Sequence, residues 1–230
     1  AMGKKFQGVV DHYLFVGNPG TGKTTVARIM GNIFYSLGVL PSNRLLEVTR
    51  KDLVEGYVGQ TATKTARVVK RAVGGVFFID EAYSLMGDNF GQEATNTILP
   101  MLLDYKGKMV CIAAGYPREI RQWIDTNSGL ESRFTKVIHF EDYNPDELAQ
   151  IFRMKVKKDR LTLTPEAENA MRVYFTDLYN RRERNFANAR EVNNYFDRVK
   201  KNQSSRLRHE MERPDFDPAS YSILLPEDMG

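Results

Sequence analysis

The stretch FVGNPGTGKTTVARIM, residues 15–30, constrains this chain more than any other, because it changes character twice within sixteen residues. An apolar run gives way to a glycine-rich turn, and a lysine and two threonines then open a helical pattern. Gly17, Gly20 and Gly22 followed by Lys23 and Thr24 give the spacing G-x-x-x-x-G-K-T. Glycine lets a backbone take positive φ and bring its N–H groups close to an anion. The helix that starts at Lys23 aims its free N–H groups and the positive end of its dipole at the same place. Gly17, Asn18, Pro19, Gly20, Thr21, Gly22, Lys23, Thr24 and Thr25 therefore form a candidate nucleotide-binding loop. In it Lys23 would reach the β- and γ-phosphates, and the Thr24 hydroxyl would take a place on Mg²⁺. The plain alternative is a strand-to-helix turn that binds nothing.

Short apolar runs recur downstream: HYLFVG (12–17), LLEVT (45–49), GVFFID (75–80), VCIAA (110–114) and KVIHF (136–140). Helical patterns at 23–37, 61–73 and 92–105 lie between the first four. Such alternation predicts an α/β fold, a parallel sheet with helices on both faces. Gly38 and Pro41 close the first helix, Gly74 and Gly75 the second, and Pro100 is expected to kink the third. After residue 143 the strands stop. DELAQIFRMKVKKD has helical periodicity, Thr164 caps a helix with Pro165 at its first position, and a last helix spans about 189–210. The expected division is a large α/β domain over 1–143, a small all-helical domain over 144–210, and a mostly irregular tail over 211–230.

Composition excludes several classes. The 230 residues are 27% charged and 42% hydrophobic, which is ordinary for a globular protein. The single cysteine, Cys111, gives no disulfide framework, and the histidines His12, His139 and His209 lack metal-ligand spacing. No run is long enough to span a membrane, and a cytoplasmic location is expected. A net charge of +4 and a pI near 9.0 are too mild to call for nucleic acid. The basic clusters at 155–160, 181–184 and 198–209 read as solvated helix faces.

Four further motifs carry chemistry. GVFFIDEA ends an apolar strand on Asp80 and Glu81, which would emerge beside the phosphate loop. Asp80 can hold Mg²⁺ and Glu81 can orient and polarise an attacking water, so ATP hydrolysis is the expected reaction. EGYVGQTATKT puts Tyr57 and Val58 next to Gly59 ahead of a helix, and the tyrosine either faces solvent or folds back onto the core. NSGLESRF offers Arg133, and FANAREVNN offers Arg190; each can also be a plain surface charge.

Together these motifs resemble the AAA+ ATPases, and in detail the CbbX/CfxQ–SpoVK branch, which includes red-type rubisco activases and the ATPase domain of the secretion protein EccA. LLEVTRKDLVEGYVGQTATKT, GGVFFIDEAYSL, FGQEA and AGYPREI carry the narrower likeness, which spans about residues 12–205. The resemblance implies a helical lid after the α/β domain and homo-hexameric rings that remodel or thread a protein client. It implies that Tyr57, Val58 and Gly59 are a central-pore loop, that Arg133 is an arginine finger for the neighbouring subunit, and that Arg190 is a nucleotide sensor in the lid. Tyr116 stands where many AAA+ proteins carry a sensor asparagine. Only sixteen residues precede Gly17, so the chain is expected to be the C-terminal module of a longer protein. Rival readings are a DNA-handling AAA+ motor or loader, a small-molecule kinase, and a nucleotide-operated switch.

Overall fold

The computed structural model describes residues 11–57, 59–212 and 217–230. Contacts divide the chain into two compact units, one of residues 1–18 and 22–140, the other of Pro19–Thr21 with Glu141–Gly230.

The first unit is built on a five-stranded, all-parallel sheet in the order β2-β3-β4-β1-β5. The strands are β1 (Tyr13–Gly17), β2 (Leu45–Val48), β3 (Val76–Ile79), β4 (Val110–Gly115) and β5 (Lys136–Phe140). A parallel sheet needs helices on both faces, and its inner strands are accordingly apolar without alternation. Every residue of β3 and β4 is buried. Successive side chains enter opposite faces. Phe77, Ile79, Cys111 and Ala113 join one core, and Val76, Phe78, Val110, Ile112 and Ala114 join the other.

The second face is covered by α1 (Lys23–Ser36), through Ala27 with Val26, Met30 and Phe34. The first is covered by α3 (Gln60–Ala72), α4 (Asn89–Asp104) and α5 (Pro117–Asp125). Two short helices, α2 (Arg50–Leu53) and α6 (Ser128–Arg133), fall where the sequence shows no periodic run. Pro100 lies inside α4 and does not end it. Buried His12 pegs the sheet from the segment before β1, its Nδ1 accepting the Cys111 N–H at 3.0 Å. Burial holds its imidazole below the ordinary value, so it is neutral.

The second unit is a helical lid of α7 (Pro145–Lys158), α8 (Pro165–Asn180) and α9 (Ala189–Glu210). Its caps follow the sequence closely. Asn144 and Glu147 form a capping box, and the Thr164 hydroxyl accepts the Ala167 N–H. Phe152, Phe175, Tyr195 and Phe196 meet in its core, with ring centroids 5.4–5.9 Å apart in their closest pairs.

The end of the chain departs from expectation. The stretch read as mostly irregular contains 3₁₀ turns at Pro218–Ser222 and Pro226–Met229, and β7 (Ile223–Leu224) pairs in parallel with β6 (Thr162–Leu163). Leu224 and Met229 are buried in the lid core. α9 bonds the backbone around them. Gln203 donates to the carbonyls of Tyr221 and Ile223, and Asn202 donates to those of Asp228 and Gly230. Arg206, read as part of a solvated basic face, instead grips Asp228 with two bonds of 3.0 Å and also bonds Glu210. Its side chain is 9% exposed and that of Asp228 only 1%. Fixed-geometry bidentate pairing of this kind offsets the cost of burying both charges. Asp228→Ala removes the buried partner of the guanidinium and leaves it Glu210, so it is expected to lower stability by about 2 kcal/mol in a urea titration. A loss under ~1 kcal/mol would show that the pair is not a support of the C-terminal segment.

Candidate functional site

Parallel strands bring their carboxyl ends to one edge of the sheet, and loops leaving that edge are where an open α/β sheet takes its ligand. Gly17 closes β1 there. A Cβ on Gly17 would sit 2.3 Å from the Phe140 carbonyl oxygen, so no larger residue fits beside β5. Lys23, in the first turn of α1, folds back so that Nζ donates to the carbonyls of Gly17 at 2.9 Å and Asn18 at 2.7 Å. The ammonium is thus held across the start of the loop. Gly22 caps α1 with φ +91°, a left-handed conformation that glycine takes without strain. Thr24 Oγ1 faces Glu47 Oε1 of β2 at 3.5 Å.

Asp80 and Glu81 follow β3 at the same edge. The Asp80 N–H donates to the Val48 carbonyl at 2.8 Å, and Asp80 Oδ1 accepts the Glu81 N–H at 3.1 Å. Glu81 is exposed and has φ +50°, a left-handed conformation that a residue with a Cβ adopts at a cost. That bend turns the chain directly into the 3₁₀ turn Ala82–Leu85. The oxygen donors Thr24, Asp80 and Glu47 suit a hard divalent cation. The chemistry of this donor set therefore fits the expected Mg²⁺.

Tyr83 and Tyr116 flank the ends of β3 and β4, their ring centroids 5.7 Å apart. Gly115 leaves the space that the Tyr83 ring fills; a Cβ there would lie 2.7 Å from the ring. Burial, with the Glu81 carboxylate the next cause, pushes the Tyr83 phenol up to about 12, so it stays neutral beside the acids.

The loop residues Pro19, Gly20 and Thr21 cluster with the second unit, where they meet the start of α9. The Ala189 N–H donates to the Gly20 carbonyl at 3.2 Å, and a Cβ on Gly20 would stand 3.0 Å from the Arg190 nitrogen. The backbone of Arg190 therefore lies against the loop, while its side chain is exposed.

Arg133 is not brought to the loop of its own chain. Register pairs Tyr13 with Lys136 and Gly17 with Phe140, so Arg133, ahead of β5, lies at the opposite end of the sheet. The length of β1 separates the two ends by about 13 Å. There Arg133 lines a small cavity with Asp11, His12, Lys106 and Thr135, and Nη1 donates to Ser132 Oγ at 2.9 Å.

Tyr57 does not fold onto the core: it is 74% exposed. The base of its loop is fastened by α3. Thr61 Oγ1 accepts the Glu55 N–H at 3.0 Å, Lys64 donates to the carbonyls of Lys51 and Val54, and Thr65 donates to that of Leu53. Gly59, φ +80°, caps α3. Val58 lies outside the described residues.

Glu47, Tyr83, Tyr143 and Asn188 were not singled out from the sequence. Glu47 carries a readable signal, a lone carboxylate inside an apolar strand. The other three acquire partners only through packing.

Two family profiles match the chain. Residues 13–142 match AAA, the ATPase family associated with various cellular activities, and residues 144–230 match the AAA lid domain. Protein CbbX of Cereibacter sphaeroides is 41% identical over 222 residues, 95% of this chain and 71% of that protein. The chloroplastic ribulose bisphosphate carboxylase/oxygenase activase of Cyanidioschyzon merolae is 43% identical over 201 residues, 85% of this chain and 68% of the relative. Among solved structures, the FIGL-1 AAA domain superposes with a TM-score of 0.65 at 17% identity, covering 96% of this chain and 69% of that one, which is a likeness of fold. A glycine-rich loop after β1, paired acids after β3 and a helical lid in one chain, with two matching family profiles and relatives above two-fifths identity, lead to one conclusion: the chain belongs to the AAA ATPase family, and as a member of it binds ATP.

Proposed function

We propose that this protein couples hydrolysis of Mg²⁺-ATP to the remodelling or threading of a protein client, working as a homo-hexameric ring. The observation that carries the remodelling half is Tyr57, a large aromatic exposed at the tip of a loop whose base is bonded to α3. An aromatic at such a tip can grip client side chains of any sequence through apolar contact. The relatives' names agree, since one is an activase of another enzyme.

In this reading Gly17–Thr25 cradle the phosphates and Lys23 neutralises the β- and γ-oxygens. Thr24 and Asp80 would hold Mg²⁺, which when bound would supply positive charge to offset that of the phosphates. The Glu81 carboxylate accepts a hydrogen bond from the attacking water, aligning and polarising it. Arg133, lying at the end of the sheet away from its own phosphate loop, supplies its guanidinium to the γ-phosphate held by a neighbouring copy. Arg190 reads the nucleotide from the lid, and Tyr57, Val58 and Gly59 form the gripping loop.

The DNA-handling alternative gains no support from charge. Several lid cations already have carboxylate partners: Arg153 and Arg172 on Glu168, Lys200 on Asp159, and Arg206 on Asp228. Among the described residues no helix is long and apolar enough to cross a membrane.

Glu81→Gln is expected to bind ATP while turnover drops by about 10²-fold or more, because general-base assistance is lost and cation binding is kept. Lys23→Ala is expected to lose nucleotide binding. Both are read by calorimetric titration alongside phosphate release, and undiminished turnover in Glu81→Gln would remove that residue from its role. The Glu81→Gln protein should also retain its client in a pull-down with ATP.

Tyr57→Ala is expected to keep basal ATP hydrolysis and the wild-type melting temperature, since the side chain is exposed and distant from the phosphate loop in sequence and packing. Client remodelling and client-stimulated turnover should fall together. Unchanged remodelling by a stable variant would exclude Tyr57 as the gripping residue.

A further inference from the structure

Asn188 is fully buried, polar and in a conformation that side chains resist, with φ +51° and ψ −120°. A residue with a Cβ persists there only when its surroundings over-determine it. The surroundings do so through the side-chain amide. Oδ1 accepts the Tyr143 N–H at 2.8 Å. Nδ2 faces three oxygens: Asp142 Oδ1 at 2.7 Å, the Phe186 carbonyl at 3.0 Å and the Pro19 carbonyl at 3.3 Å. The orientation of the amide is unambiguous, because the Tyr143 N–H can only donate and the three oxygens opposite can all accept.

The Pro19 bond is one of a set. The three consecutive loop carbonyls each take a donor from the second unit: Pro19 from Asn188 Nδ2, Gly20 from the Ala189 N–H at 3.2 Å, and Thr21 from the Tyr143 hydroxyl at 3.0 Å. All described peptides are trans. In a trans peptide the carbonyl and the following N–H point in opposite directions. Holding the carbonyls of residues 19, 20 and 21 on one side therefore turns the N–H groups of Gly20, Thr21 and Gly22 to the other. A row of N–H groups on one side of a turn is what an anion requires. Gly20 is seated so closely that a Cβ would lie 2.2 Å from the Ala187 oxygen, so the loop has no room to rotate away.

We infer that Asn188, with Tyr143, is a positioning residue for nucleotide binding: it locks the phosphate-loop carbonyls outward so that the loop amides are set for phosphate before the nucleotide arrives. The inference rests on the assignment of Gly17–Thr25 as the phosphate loop. Asn188 itself touches no phosphate. Its amide cannot be replaced by a carboxylate, which would face Asp142, and it cannot be lengthened within a fully buried space. Because the locked amides hold the phosphates alike before and during hydrolysis, the contribution is one of uniform binding, felt in affinity rather than in the chemical step.

Asn188→Gly makes the test, since glycine adopts this backbone conformation freely and removes only the side-chain bonds. ADP and ATP affinity by calorimetry, steady-state KM and kcat, and the melting temperature without nucleotide are measured on the full chain. The expected result is at least a tenfold rise in ADP Kd and in KM for ATP, with kcat within about twofold of wild type. Tyr143→Phe, which deletes one hydroxyl and keeps the ring, should raise both by several-fold, and it decides the matter if Asn188→Gly fails to fold. ADP affinity unchanged in the folded variants, or kcat lost with KM unchanged, would overturn the inference. Lys23→Ala separates the two levels: if that variant binds ADP like wild type, the phosphate-loop assignment itself fails, whereas lost binding there with unchanged binding in the other two refutes Asn188 alone.

Discussion

The inner strands of a parallel sheet show neither face to water, and the first unit of this protein is organised around that constraint. Parallel strands demand a crossover between each pair, and the crossover helices cover both faces. β3 and β4 consequently contain only apolar residues and glycine, all of them buried, and they divide their side chains between two cores. Polar chemistry is excluded from these two strands and is displaced to their ends. Gly17, Asp80 and Tyr116 each stand at the point where an apolar strand stops, which is why one edge of the sheet collects the loop lysine, the paired acids and the two facing tyrosines. The functional edge is thus a consequence of how the core is buried.

The same parallel register sets Arg133 at the end of the sheet away from the glycine-rich loop of its own chain. β1 and β5 run side by side from Tyr13–Lys136 to Gly17–Phe140. A residue ahead of β5 lies a full strand length from a loop that follows β1. Distance of this kind is rigid, since neither strand can slide without moving buried side chains out of register. Arg133 and the loop after β1 are therefore held apart within one chain.

The lid follows a different principle. Its helices are specified locally, by the Asn144–Glu147 capping box and by the Thr164 cap with Pro165, and its aromatic core then fixes how they pack. Its polar interior is where long-range order enters. Arg206 with Asp228, Gln203 with the carbonyls of Tyr221 and Ile223, and Asn188 with Asp142 and Pro19 are buried groups whose partners are remote in sequence. Each buried donor left unmatched would cost more than a matched one gains, so these networks select one arrangement of the lid.

Much of the fold was legible from local pattern, because strand and helix periods, caps and glycine spacing are written within a few residues of one another. The apolar runs at 12–17, 75–80 and 110–114 locate the inner strands, Thr164–Pro165 marks the start of α8, and G-x-x-x-x-G-K-T locates the turn from β1 into α1. α2, α6 and the 3₁₀ turns escaped because they are too short to show a period. The exposure of Tyr57, the placing of Glu47 beside Thr24, the burial of Arg206 and the closure of the chain's end onto α9 were decided by packing. Asn188 is the clearest case. It lies 169 positions from the Pro19 carbonyl it bonds, so only the folded chain determines that an asparagine in NAREV is a fully satisfied buried hub and not a surface cap. Local sequence sets which elements form; the pairing of buried polar groups such as Asn188, by residues that only tertiary structure brings within reach, sets how residues 19–21 are held.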